Sequence, residues 1–124
     1  MNFRTGTFRR LIKASQHSFA GIRYAVRHEQ AFQLEVIVLA AAVPLAWYVA
    51  ENLVWFVVLV GAVLAVMLVE ILNTAIEQVC NAVSRDYRAE IKVAKDCGSA
   101  AVLFMTFISA SVWACAVWNL FASA

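Results

Sequence analysis

From Val54 to Val69 no side chain carries a charge; then Glu70, Asn73 and Glu77 enter what still reads as the same apolar helix. Three apolar stretches, about 31–50, 53–83 and 99–121, each reach the roughly 20 residues that a bilayer requires. The second is longer than needed, which predicts that its last turns emerge at the interface or into solvent. Residues 7–28 follow a different pattern. Phe8, Leu11, Ile12, Ser15, Phe19, Ile22 and Val26 recur at spacings of three and four, while Arg9, Arg10, Lys13, Arg23 and Arg27 fall mainly elsewhere around the wheel. That is an amphipathic helix with a basic face, expected to lie along the cytoplasmic membrane surface, where cations meet anionic lipid. The pattern predicts an all-α integral membrane protein. Three transmembrane helices and an N-terminal amphipathic surface helix make one domain over residues 1–124.

Composition agrees. Of 124 residues, 64% are hydrophobic and 15% charged, whereas ordinary soluble domains are about half apolar and about a quarter charged. One proline and four glycines leave little room for a turn-rich β architecture. No internal repeat or low-complexity tract is visible. The first thirty residues carry basic side chains throughout and no compact apolar core, so no cleavable signal is expected. Cys80, Cys97 and Cys115 form neither a CxxC pair nor a metal-ligand cluster and read as free thiols packed as small apolar residues.

The placement of charge sets the topology. Arg4, Arg9, Arg10, Lys13, Arg23 and Arg27 precede the first span, and Arg85, Arg88, Lys92 and Lys95 lie between the second and third; these are all the lysines and arginines of the chain. The positive-inside rule places the N-terminal segment and the 84–98 loop in the cytoplasm, and the "AENL" turn and the C-terminus outside. Trp47, Tyr48, Trp55 and Trp118 fit an aromatic belt at the far interface. Trp113 reads equally well as a lipid-facing or a packing residue.

The polar residues of the second span form a stripe. At about 100° per residue, Asn73 lies about 60° and Glu77 about 20° to one side of Glu70, and the two glutamates are about 10 Å apart along the axis. Asn81 and Ser84 continue the stripe. Lipid cannot solvate such a face, so it must meet protein, a bound ion or a wet cavity. Interhelical hydrogen bonding alone would explain a lone Asn. Two glutamates with no basic residue on the stripe would repel unless one is protonated or a cation lies between them. Three spans are too few to enclose the stripe, which points to a closed symmetric homo-oligomer.

More acids join them: Glu29 in "RHEQAF", at the junction of surface helix and first span, and Glu35 beyond it. Hard oxygen ligands at the interface suit Mg²⁺, which is commonly shared with substrate phosphates. "VAKDCGSAA" adds Lys95, a point charge for phosphate, and Asp96, which could equally cap the third helix. Acids for a cation, a lysine for phosphate and a base within the bilayer suggest phosphoryl transfer to a lipid hydroxyl. Neither a Walker A loop nor a kinase glycine loop is present.

"VEILNTAIEQV" followed by "AKDCGSAAVL" resembles the small bacterial integral-membrane diacylglycerol kinases, a family that includes undecaprenol kinases. The likeness runs from "RRLIKAS" at residue 9 to about residue 105, and its ExxNxxxE core with a downstream AKDxGSAA is highly specific. The resemblance implies a homotrimer in the bacterial inner membrane, with active sites between subunits at the cytoplasmic interface. It implies ATP as donor, Mg²⁺ as cofactor, a membrane lipid alcohol (diacylglycerol first) as acceptor, and no nucleic-acid partner. By matching position, Glu70 would be the general base, Glu29 and Glu77 the metal ligands, and Asn73 their support. Arg10, His17, Glu29, Glu77, Asp86, Tyr87, Arg88, Lys95 and Asp96 would meet ATP. Arg10, Ala14, Ser15, Ser18, Phe19, Arg23, Glu35, Glu70 and Ser99 would meet the lipid.

The chain departs from the family pattern at Asn81, where an Asp is usual, at Ala82, often Arg, and in the middle of "RDYRAEIKVAKD". Three other functions stand beside diacylglycerol phosphorylation: undecaprenol phosphorylation, a small multidrug-type transporter, and a non-catalytic membrane scaffold. Three spans and the AKDxGSAA segment weigh against the transporter. The scaffold would require Asn81 to mark a decayed site.

Overall fold

The computed structural model describes residues 3–122, with side chains from residue 7. Four helices follow in chain order: α1 (Phe3–His28), α2 (Gln30–Val49), α3 (Leu53–Val83) and α4 (Ala89–Ala122). The last three are each long and apolar enough to cross a membrane.

Local chemistry sets the breaks between them. Glu29 adopts an extended conformation between α1 and α2, and its side chain makes no capping hydrogen bond. At the next turn the Asn52 side chain accepts a 3.1 Å hydrogen bond from the Trp55 backbone N–H, satisfying one of the free donors at the start of α3. α3 ends at Ser84, whose hydroxyl accepts from the Asp86 N–H at 3.1 Å and turns the chain. Pro44 lies inside α2 without ending it.

α4 begins ten residues earlier than the apolar pattern indicates. The connection 84–98 is not one loop: after a short turn the helix resumes at Ala89. Residues 89–97 contain no glycine or proline to stop it, and Lys92 and Asp96 pair one turn apart on its surface. Asp96 therefore lies within the helix, and the alternative of a cap for the third helix is not realised.

Two apolar clusters hold the helices together. Near one end, Ala46, Val49, Leu59 and Ala116 join α2, α3 and α4, and the Trp113 indole N–H donates to the Leu59 carbonyl at 3.1 Å. Trp113 is thus half-buried and packs between helices. Near the other end, Ala25 of α1, Phe32 of α2 and Met67 of α3 meet. This second cluster fixes the α1–α2 junction, and Glu29 with it, against α3. Elsewhere the protein leaves its apolar surface uncovered. Phe8, Leu11, Phe19, Leu103, Phe104 and Phe107 are all exposed, as expected of surfaces that meet lipid or further protein.

Candidate functional site

One turn of α3 beyond Met67, the polar stripe turns inward. Glu70, Asn73 and Thr74 are buried, Glu70 only 8% exposed. Asn73 Nδ2 donates to Glu77 Oε1 at 3.3 Å, so the amide orients the second carboxylate one turn away. Behind Asn73 lies Gly98 of α4. A side chain there would collide with Asn73 Oδ1 and touch Ile76. The bare glycine backbone lets α4 approach closely enough to wall in the amide. Asn73 Oδ1 is buried without a hydrogen-bond partner among the described residues.

Four carboxylates gather here. The α1–α2 junction carries Glu29 to within electrostatic reach of Glu70, which also feels Glu77; Glu35, on the second turn of α2, feels Glu70. Among the described residues, no lysine, arginine or histidine forms an ion pair with any of the four. One carboxylate oxygen of Glu35 is buried and unpaired. Glu70 with three acids about it, and one orphaned carboxylate oxygen on Glu35, is not explained by interhelical hydrogen bonding alone. Among the described residues no three acidic, His or Cys side chains converge tightly enough to enclose a metal by themselves.

Depth along α3 separates these acids. At about 1.5 Å per residue from Leu53, Glu70 is about 25 Å and Glu77 about 36 Å along the axis. Against a hydrocarbon thickness of about 30 Å, a helix entering at Leu53 leaves the apolar layer between the two.

Beyond Glu77 the stripe opens into a cavity of about 620 Å³ between the end of α3, the turn and the first turns of α4. Asp86, Tyr87, Arg88, Lys95 and Asp96 all line it, so the nucleotide residues that the resemblance implies on this side come together. Arg85 and Lys92 add two cations that the sequence reading left out of the site. Lys95 Nζ donates to Asn81 Oδ1 at 2.8 Å. A second groove, of about 350 Å³, runs between α2, α3 and α4 from Glu35 past Ser109 to Trp113. Its walls are apolar apart from Glu35, Thr106 and Ser109.

The α1 residues are not gathered. Arg10, Ala14, Ser15, His17, Ser18, Phe19 and Arg23 are exposed on the surface helix. The Ser15 and Ser18 hydroxyls donate back to the Leu11 and Ala14 carbonyls at 3.0 Å. Phe19 and Arg23 line a shallow groove along α1 with Tyr24, Arg27 and His28. Ser99 is exposed beside Gly98. Gly98 and Asn81 also contact candidate residues, Gly98 against Asn73 and Asn81 against Lys95, which the sequence reading did not indicate. Gly98 stood inside the quoted motif, and Asn81 on the stripe, but their partners lie on another helix.

A family model for prokaryotic diacylglycerol kinases matches residues 16–117. The chain is 38% identical over 117 residues to the diacylglycerol kinase of Escherichia coli K12, covering 94% of this chain and 96% of that one. It is 33% identical over 107 residues to the enzyme of that name from Helicobacter pylori, covering 86% and 83%. It is 30% identical over 111 residues to that of Haemophilus influenzae, covering 90% and 94%. Three membrane-length helices and bacterial relatives of this kind mark a bacterial inner-membrane protein. The matched region contains the buried Glu70 and its neighbours, and on that ground the chain belongs to the prokaryotic diacylglycerol kinase family and is a lipid kinase.

Proposed function

We propose that the protein transfers the γ-phosphoryl group of ATP to the hydroxyl of a membrane lipid alcohol, diacylglycerol first, giving phosphatidic acid and ADP. The observation that carries this reading is the continuity of buried Glu70, the half-buried acids beside it and the cation-lined cavity beyond Asn81.

Glu70 accepts the proton of the lipid hydroxyl. The alkoxide oxygen then bonds to the γ-phosphorus as the bond from that phosphorus to the β–γ bridging oxygen breaks, and ADP departs. Glu29 and Glu77 would hold Mg²⁺, which supplies neutralisation of phosphate charge. Asn73 orients Glu77. Lys95, Arg85 and Arg88 face the phosphates, and Tyr87 the remainder of the nucleotide. Positioning and charge compensation are what such a transfer chiefly demands. The acceptor enters sideways from the bilayer, with Glu35 at the head of the apolar groove.

The assembly is a homotrimer with the N-terminus cytoplasmic and the C-terminus outside. The uncovered apolar faces and the scattered α1 residues support it: Arg10, His17 and Ser18 reach a site when a neighbouring protomer closes it. A radiolabelled-ATP assay in mixed micelles, offering diacylglycerol and undecaprenol separately, tests the reading. Label should enter the diacylglycerol arm; labelling of undecaprenol alone moves the acceptor, and labelling of neither removes the kinase reaction.

A further inference from the structure

We infer that Asn81 is a positioning residue that holds Lys95 at the phosphate-facing cavity without neutralising it. The inference rests on the reading of that cavity as the nucleotide site. Lys95 is half-buried, and its ammonium donates to Asn81 Oδ1 at 2.8 Å, bridging α3 to α4 over a separation of 14 residues. The other lysine of the cavity has a different partner: Lys92 is paired with the Asp96 carboxylate. Among the described residues no carboxylate lies within ion-pair distance of Lys95.

The two lysines therefore present different charge. Lys92 is largely offset by Asp96. Lys95 is fixed in direction by a neutral amide and keeps its whole positive charge for an incoming anion. A lysine is a point charge on a flexible stem; anchored by an amide, it needs less ordering when a phosphate arrives. A carboxylate at position 81 would anchor it equally well but would compete with the phosphate for the ammonium. An amide at position 81 thus favours the phosphate site more than a carboxylate would.

The effect should appear in nucleotide affinity and pass through Lys95. The experiment uses the full chain in lipid nanodiscs. A non-hydrolysable ATP analogue with Mg²⁺ is titrated onto wild type, Asn81→Asp, Asn81→Ala and Lys95→Met, and the two position-81 changes are repeated in the Lys95→Met background. Turnover on diacylglycerol is measured in parallel. Asn81→Asp and Asn81→Ala should each bind the analogue about three- to fivefold more weakly, the scale of a solvent-screened charge contact. Turnover at saturating ATP should stay within about twofold of wild type, so that KM moves and kcat does not. With Lys95→Met present, neither change should weaken binding further.

Unchanged or tighter binding by Asn81→Asp overturns the inference. So does an effect that persists undiminished without Lys95, or a fall in kcat with KM constant. If wild type binds the analogue but phosphorylates no lipid, the kinase reading fails while the titrations still decide the role of Asn81.

Discussion

The amide of Asn73 lies in the space that Gly98 leaves by having no side chain. α3 and α4 meet so closely there that one methyl group on α4 would displace the amide, and with it the hydrogen bond from Asn73 to Glu77. Gly98→Ala is expected to cost about 1–3 kcal/mol, the usual range for overpacking. It should also raise the Mg²⁺ concentration needed for half-maximal turnover. Denaturation in graded detergent and a Mg²⁺ titration measure the two effects separately. An unchanged Mg²⁺ requirement would mean that Asn73 does not orient Glu77.

Glu70→Gln keeps the shape of the side chain but cannot accept a proton. Turnover should fall by about 10²–10⁴-fold, the usual contribution of a general base, with assembly intact by size-exclusion chromatography. Retention of more than about a tenth of wild-type turnover, far above that range, would remove Glu70 from the role of base.

Glu77→Gln removes one carboxylate charge from the proposed metal site and leaves Glu29 in place. The enzyme should need more Mg²⁺ and recover in part when it is supplied in excess, because carboxylate charge sets divalent-cation affinity. A superimposable Mg²⁺ titration would place the metal away from α3.

Trp113→Phe deletes the indole donor to the Leu59 carbonyl and keeps most of the aromatic surface. A loss of about 0.5–1.5 kcal/mol is expected, the net value of one such bond. Reversible unfolding in detergent mixtures measures it; no loss would assign the stability of this end to the apolar cluster alone.

The architecture was legible where a single stretch of chain decides it. The apolar run over 53–83 coincides with α3 and can be read in order along the sequence, whereas the Asn52 cap emerges only from the structure. The start of α4 was not, because hydropathy reports where lipid begins and not where hydrogen bonding begins; Ala89–Cys97 is polar and helical at once. The stripe of Glu70, Asn73 and Glu77 follows from helical spacing alone. Its closure by Gly98 and the anchoring of Lys95 by Asn81 depend on how α3 and α4 register against each other, which no local pattern encodes. On α1 the periodicity gave an apolar face, and the protomer leaves that face bare.

α3 has 31 residues, and at about 1.5 Å per residue it is longer than a hydrocarbon layer of about 30 Å; a site along it serves two phases, so the two substrates of the proposed reaction are counted in different units. The nucleotide is dilute in a volume of water, whereas the lipid is dilute in an area of membrane. Adding buffer to a vesicle suspension lowers the first concentration and leaves the second untouched. Adding an inert phospholipid to the same membrane does the reverse. The enzyme's saturation therefore has two independent axes, molarity and mole fraction, and a single Michaelis constant quoted for the lipid in moles per litre would describe the vesicle preparation and not the protein.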